Sequence, residues 1–548
     1  MINRILVLTI VSLMTSLNLS GKNILLTGGF VYHEDGKFLT DTIVLCQDGK
    51  ITYVGPSEDL PPVNHVQKIN LNGGYVLPGF IDSHIHLQGY GRSLDILNLV
   101  GTKSLSEIAI LVSDAINQKE KGEWIIGRGW DQNDWSETSF PTKDILDRIA
   151  PDYPIYLTRI DGHAIWVNSS AMNLTNITLK TPDPEGGKII RNKYGEPTGV
   201  FVDNAIALIS DHIPSPSKNQ KRKQILHAVK KLNKIGITSI HDAGTDSETL
   251  DLLKTLADSG DLTLRVYAML QDDPDQYLPY FETGPLIGYG NNHLTIRSIK
   301  AYIDGALGSR GAVLKEPYAD DPENRGLLLS HPEHLDSLVS AAFSHGFQVN
   351  IHAIGDRGNQ ICLDIFEKYL EKYPGDHRPR IEHAQILDPL DIPRFASFGV
   401  IPSMQPTHCT SDMPWLESRL GKDRLSGAYA WKSLIDSGSI IPGGSDAPVE
   451  NPNPLWGIYA AITRMDHTGH PEGGWFPKEC VSRIEAIRMF TEWGAYAAFE
   501  ETIKGKIKEG YLADLVVLDK NILEIPTEEI LSTKVLITIV NGRVIHKK

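Results

Sequence analysis

The 548-residue chain reads as an α/β protein: a (β/α)8 barrel, a small β domain built from both chain ends, and an inserted subdomain. Three observations predict it. Eight short apolar runs alternate with amphipathic helical patterns, as a barrel requires. The two ends share one pattern of strand, turn and strand. One gap between runs is far longer than the roughly 30 residues of a plain βαβ unit.

The first element is "MINRILVLTIVSLMTSLNLSG" (1–21). It carries Arg4, an apolar run from Ile5 to Met14 and then small polar residues. A spanning helix needs about 20 apolar residues, so the run fits a secretory signal instead. Processing near Ser20 or Gly21 and export to a periplasm or the medium are expected. The protein is cytoplasmic if the segment is not recognised. No other segment is long and apolar enough to cross a membrane, so no span is expected after processing.

Residues 22–78 alternate apolar and polar positions around "EDG" and "QDG" turns, as hairpins do. Residues 503–548 do the same in "ADLVVLDK" and "VLITIVNGRVIHK", with an Asn-Gly turn. These ends pair into one β domain. The barrel occupies 79–502. Its runs are "YVLPGFIDSHIH", "GITSIHDAG", "LTLRVYAML", "TIRSIKAYIDG", "FQVNIHAIGD", "RPRIEHAQ", "GVIPSMQP" and "SIIPGGSDAPV". "HLDSLVSAAFSHG" and "DLLKTLADSG" are helical patterns between them. The long gap, about 88–232, holds its own periodic stretches and a turn-rich piece, "TPDPEGGKIIRNKYGEPTG". It is expected to form a lid subdomain over the barrel mouth.

Composition narrows the function. Hydrophobic residues make up 41% and charged residues 22%, ordinary for a globular protein. There are 53 Lys and Arg against 68 Asp and Glu, a net charge of −15. No basic stripe of useful length offsets this, so a nucleic-acid partner is not expected. The one dense basic run, "KNQKRKQ" (218–224), opens an amphipathic pattern and reads as a solvated helix start. The cysteines, Cys46, Cys362, Cys409 and Cys480, form no CxxC and read as free thiols.

A barrel carries its active site at the C-terminal ends of its strands. The ionisable residues there are His84, His86, Lys300, His352, His383 and Asp446. Side chains two apart on a strand share a face, so His84 and His86 point the same way. Neutral imidazoles suit a borderline divalent ion such as zinc. Asp446 can add an oxygen ligand, or act as general base towards water activated by the metal. Singly, each histidine reads as a hydrogen-bonded surface residue and Asp446 as a turn or cap. Together, four histidines and one Asp recur at the same place of one periodic pattern, and chance placement is the weaker account. Lys300 lies within an apolar strand, where an unpaired ammonium beside a cation is costly. It can pair with Asp304 or Asp356, or become a carbamate that bridges two metals.

The stretches "LPGFIDSHIHL", "GRGWDQNDW", "RIDGHAIWVNSSAM", "KAYIDGALGSRGA", "NIHAIGDRGNQ", "IEHAQ", "GGSDAPVENPNPLWGIYAAITR" and "KGKIKEGYLADLVVLD" resemble the amidohydrolase superfamily of metal-dependent hydrolases. Within it they are most similar to the YtcJ-like branch, which includes N-substituted formamide deformylases. The resemblance implies a distorted TIM barrel with a small β-sandwich from both ends. It implies one or two divalent ions, Zn(2+) foremost. His84, His86 and Asp446 would hold the more buried ion, and His352 and His383 the second. Lys300 would be the carbamate bridge, and Asp446 would also shuttle the proton. Trp130, Asp131, Asp161, His163 and Trp166 from the insertion, with Arg310, Asp356 and Arg357 from barrel loops, are candidate substrate contacts. Packing of the tryptophans and a local Asp356–Arg357 ion pair are the plainer alternatives.

The expected activity is hydrolysis of an amide-type C–N bond in a small molecule, such as an N-substituted formamide or N-acyl compound, by metal-activated hydroxide. A lactonase or esterase on the same scaffold, or a non-catalytic relative that binds without turnover, are the alternatives. A homodimer is admitted, though no residue specifies it.

Overall fold

The computed structural model describes residues 23–548, apart from 118, 133, 134, 138, 160–163, 185, 186 and 309. The expected export signal (1–21) and the candidates Asp161 and His163 therefore lie outside the described residues. The chain forms two compact units: residues up to His86 together with Val229–Lys548, and Leu87–Ala228. Among the described residues no helix is long and apolar enough to cross a membrane.

In the larger unit seven parallel strands form the barrel. They are β1 (Phe80–Ile85), β2 (Ile237–Thr245), β3 (Arg265–Gln271), β4 (Leu294–Tyr302), β5 (Gln348–Ala353), β6 (Arg380–His383) and β7 (Ile401–Ser403). Each pairs in parallel with the next in sequence. The eighth predicted run, "SIIPGGSDAPV", forms no regular strand. Pro442 has no N–H to give a ladder. The run still closes the barrel through scattered backbone bonds. On one side Met404 N–H donates to Pro442 O (3.1 Å) and Gly444 N–H to Met404 O (3.0 Å). On the other, Ser83 N–H donates to Gly443 O (2.9 Å), Asp446 N–H to His84 O (2.7 Å) and His86 N–H to Ala447 O (2.9 Å). Gly444 makes this approach possible, because a Cβ there would lie 2.7 Å from the backbone nitrogen of His84.

The helices between strands follow their patterns. Ser247–Ser259 starts at Asp246, whose side chain accepts from Thr249 N–H, and ends at Gly260 in the left-handed region (φ 73°). It buries Leu250, Leu253, Leu256 and Ala257, one apolar stripe at helical spacing. The basic run at 218–224 does open a helix, Lys218–Lys234. Ser217 and Gln220 cap its start reciprocally.

The two chain ends meet in the predicted β domain. One sheet joins Lys50–Pro56, Thr42–Gln47, Asn23–Thr27 and Val66–Asn70; the other joins Arg543–Lys547, Val535–Val540, Leu515–Leu518, Tyr75–Pro78, Phe30–His33 and Lys37–Leu39. Antiparallel pairing of Leu515–Leu518 with Tyr75–Pro78 stitches the ends together. Alternation places Ile24, Leu26, Val44 and Cys46 in the main core with Val517 and Ile539. Leu25, Ile43 and Leu45 fall in a second core on the opposite face. Two hairpins use paired positive-φ residues, Asp48–Gly49 (48°, 79°) and Asn541–Gly542 (52°, 68°), whose twist suits tight antiparallel turns.

Arg265 of β3 fastens barrel to β domain. Its Nε lies 2.5 Å from Asp514 Oδ2 and its Nη2 3.0 Å from Oδ1, and both residues are buried. Burial alone would push the Asp514 carboxyl up; Arg265 outweighs it and holds the carboxyl below its usual range. Removing one partner of a buried pair strands the other charge, at about 3–5 kcal/mol.

The smaller unit has a six-stranded sheet in the order Gly187–Arg191, Pro197–Asp203, Ala164–Val167, Ile155–Arg159, Ile125–Trp130 and Leu97–Asn98. Trp130, Trp135 and Trp166 pack at its centre with ring centroids 6.1–6.4 Å apart.

We expect Asp514→Ala to lower stability near neutral pH by about 3–5 kcal/mol in urea unfolding. A carboxyl with a depressed folded pKa stabilises above its unfolded value of about 3.9 and loses this as pH falls through the folded value. The difference between variant and wild type should therefore shrink only under acid. An unchanged urea midpoint at pH 7 would contradict this role.

Candidate metal centre

The site lies at the C-terminal ends of the barrel strands. His84 and His86 leave β1 on one face, as their spacing dictates. Their Nε2 atoms lie 3.5 and 3.1 Å from Asp446 Oδ1. His383 joins from β6, its ring centroid 4.8 Å from that of His84 and 4.5 Å from that of His352 on β5. Ligand atoms of His84, His383 and Asp446 all fall within 4.8 Å of one another. Both His383 (φ 76°) and Asp446 (φ 57°) take left-handed backbone. Non-glycine residues adopt it at a cost of order 1 kcal/mol or more, and such strain clusters at functional sites.

Lys300 lies near the end of β4, buried, with Nζ 4.2 Å from the centre of the Tyr302 ring. The expected partners are committed elsewhere. Asp304 accepts from the N–H groups of Val313, Ile354 and Gly355, and Asp356 from those of Lys315 and Arg357. Among the described residues no carboxylate pairs with Lys300.

A buried chain behind the ligands was not foreseen from sequence. Glu382 Oε2 lies 2.5 Å from His84 Nδ1, and Glu382 Oε1 2.7 Å from Arg380 Nε. Arg380 Nη2 also donates to Ser83 O (2.7 Å) and Ser403 Oγ (2.9 Å), and Nη1 reaches His241 Nδ1 (2.9 Å). Burial would raise the Glu382 carboxyl, but Arg380 and His84 hold it far below its usual range. An acceptor at His84 Nδ1 fixes the proton there and leaves the Nε2 lone pair for a cation. His383 is set the same way: its Nδ1 faces Gln405 Oε1 at 2.8 Å. Under β1, Asp82 accepts from Ser445 N–H (3.0 Å) and Oγ (2.5 Å), tying the closing run to the first strand. Burial pushes that carboxyl up to about 7.

The charge states suit a metal. Burial lowers the pKa of His84 and takes His383 well below the usual value; His352 falls to about 3, with Lys300 adding to burial. These rings are neutral donors. Burial raises the Asp446 carboxyl, but the surrounding imidazoles, His86 first, outweigh it and keep the group ionised. His84 Nε2, His352 Nε2 and Asp446 Oδ1 are buried and make no well-aligned hydrogen bond. Buried polar atoms without partners are rare in native proteins. Neutral nitrogens around one carboxylate oxygen fit a divalent cation, which would satisfy them together.

The remaining described candidates have partners of their own. Arg310 forms a fork with Asp320 (3.1 and 2.9 Å), and Asp356 is held by the two N–H bonds above. Arg357 donates to Gln360 (2.6 Å), and no Asp356–Arg357 ion pair forms among the described residues. Trp130, Asp131 and Trp166 belong to the smaller unit. Trp130 and Trp166 are fully buried, their indole N–H groups on Leu157 O (2.8 Å) and Thr142 O (3.1 Å). Asp131 pairs with Arg159 at 2.6 Å. A fifth imidazole, which sequence reasoning missed, does belong here: His408, on the helix Pro406–Asp412, whose Nε2 lies 3.7 Å from Asp446 Oδ2.

The profile of the Amidohydrolase family matches residues 67–546. This chain belongs to the amidohydrolase family. It is 36% identical to "Putative amidohydrolase YtcJ" of Bacillus subtilis, over 95% of this chain and 99% of that protein. It is 26% identical to "N-substituted formamide deformylase" of Arthrobacter pascens, over 91% and 94%. Among solved structures, an uncharacterized metal-dependent hydrolase from Pyrococcus furiosus superposes with a TM-score of 0.76 at 28% identity, covering 92% of this chain and all of that one. With the family, these neighbours and the cluster of His84, His383 and Asp446, this amidohydrolase is a metal-dependent hydrolase.

Glu382→Gln should keep the fold but loosen the hold on His84. Metal affinity, measured by chelator competition, is expected to fall about 10- to 100-fold. Wild-type affinity in that variant would show that Glu382 does not tune the ligand.

Proposed function

We propose that this amidohydrolase cleaves an amide-type C–N bond, as in an N-substituted formamide or N-acyl compound, at a zinc centre of one or two ions. His84, His86 and Asp446 would hold one ion; His352 and His383 would hold the second. A bound zinc ion lowers the pKa of water and polarises a carbonyl. The observation that carries the reading is the set of unpartnered buried atoms, two imidazole nitrogens and one carboxylate oxygen, at one barrel mouth.

The chain's own residues supply the rest. Asp446, held ionised, accepts the proton of the attacking water and returns it to the leaving nitrogen. Glu382 and Gln405 keep the His84 and His383 rings oriented throughout. Lys300, buried and without a carboxylate partner among the described residues, is the proposed carbamate. As the free amine it would add to CO2, forming one N–C bond and giving up one proton to water. The carbamate would supply an anionic ligand in place of a repelling ammonium. Similarity to a relative named for deformylation supports the C–N assignment. The apolar run at Ile5–Met14 supports export, which cell fractionation would read directly.

The test is the zinc-reconstituted enzyme against formamides, N-acyl amines, N-acyl amino acids and lactones. Turnover is expected on one of the amide classes, with bound zinc by elemental analysis and a labelled carbamate carbon after exchange with carbon-13 bicarbonate. Asp446→Asn should cut kcat by at least about 100-fold with an unchanged circular dichroism spectrum. Turnover of lactones alone would sink the C–N assignment, and undiminished kcat in Asp446→Asn would remove its proton role. Absence of the carbamate signal would return Lys300 to a structural part.

A further inference from the structure

The histidines of the site are sorted by what faces their second nitrogen. His84 and His383 each present Nδ1 to a side-chain oxygen, Glu382 Oε2 and Gln405 Oε1. An acceptor there holds the ring proton on Nδ1 and frees Nε2 as a ligand lone pair. His408 is the opposite case. Its ring lies parallel to that of His383, centroids 5.9 Å apart and planes 6° apart. Yet its Nδ1 faces a donor, Gln385 Nε2, at 3.2 Å. A donor at Nδ1 requires a lone pair there, which puts the ring proton on Nε2. That nitrogen is buried, makes no hydrogen bond, and lies 3.7 Å from Asp446 Oδ2. The distance exceeds a hydrogen bond, as is common of catalytic contacts before substrate tightens the site. Asp446 is thus addressed on two sides. Oδ1 faces the Nε2 atoms of His84 and His86, and Oδ2 faces an N–H.

We infer that His408 is not a metal ligand but a positioning residue for Asp446: its Nε2–H, set by Gln385, holds Oδ2 and so leaves Oδ1 for the cation. The inference rests on the proton role assigned to Asp446 above. A carboxylate free to rotate about χ2 would exchange its ligand oxygen with its proton-carrying one. A misplacement of about 1 Å in a reacting group costs on the order of 100-fold in rate.

Two variants test it: His408→Leu, which removes the donor, and His408→Gln, whose amide N–H can reach the place of Nε2. Metal content by elemental analysis is expected to match wild type in both. On the best substrate of the panel, whatever its bond, His408→Leu should lose about 100-fold in kcat with little change in KM. His408→Gln should recover most of that loss. Loss of metal in His408→Leu, on the scale of a His84→Ala control, would make His408 a ligand and overturn the inference. So would equal kcat losses in the Leu and Gln variants. Metal content reads the ligand question without turnover, so failure of the C–N assignment stays distinguishable from failure of this one.

Discussion

The site depends on one closure: the run 442–447 lying between β7 and β1. Three backbone bonds to β1 bring Asp446 against His84 and His86, across most of the chain's length. No side-chain attraction could replace them, because a carboxylate and two imidazoles need ångström-level placement to share a cation. The closure in turn rests on a missing atom. Gly444 has no Cβ, and any larger residue would meet the His84 backbone. Asp82 then locks the join through both the N–H and the hydroxyl of Ser445.

Burial drives the chemistry of what the closure assembles. His84, His352 and His383 lose their tendency to protonate because a charged ring in a dry barrel is costly. Burial raises each carboxylate for the same reason, and only the stronger partners outweigh it. Asp446 and Glu382 stay ionised because imidazoles and Arg380 do face them. Asp82 and Asp304, served mainly by backbone N–H and hydroxyl groups, rise to about 7. The mouth of the barrel therefore holds neutral nitrogens around an anionic oxygen. That combination discriminates for a divalent metal and against a bare proton.

Much of this was readable along the chain. The spacing of His84 and His86 sets a shared face, and the apolar run before each of Lys300, His352 and Asp446 sets a shared end of the barrel. The tight turns of the β domain announce themselves in Gln-Asp-Gly and Asn-Gly. Glu382 and His383 were harder. Strict alternation places Arg380 with Glu382 and sends His383 to the other side. The left-handed backbone at His383 and Ala384 breaks that rule, so neighbouring residues serve the same site. His408 gave no signal, since it sits in a short helix rather than at a strand end. Arg310 and Asp356 illustrate the converse. A charged residue in a barrel loop looks the same whether it meets a substrate or a backbone N–H.

By itself the sequence determined the barrel, the pairing of the two chain ends and the side chains that gather at one rim, because periodicity and turn chemistry are local properties. The tertiary structure alone decided how the barrel closes without a regular eighth strand, and which charges serve loops. It also decided which ring nitrogen of His84 and of His383 is free. Those outcomes depend on what faces an atom across the fold, and residues far apart in the chain carry no local record of facing each other.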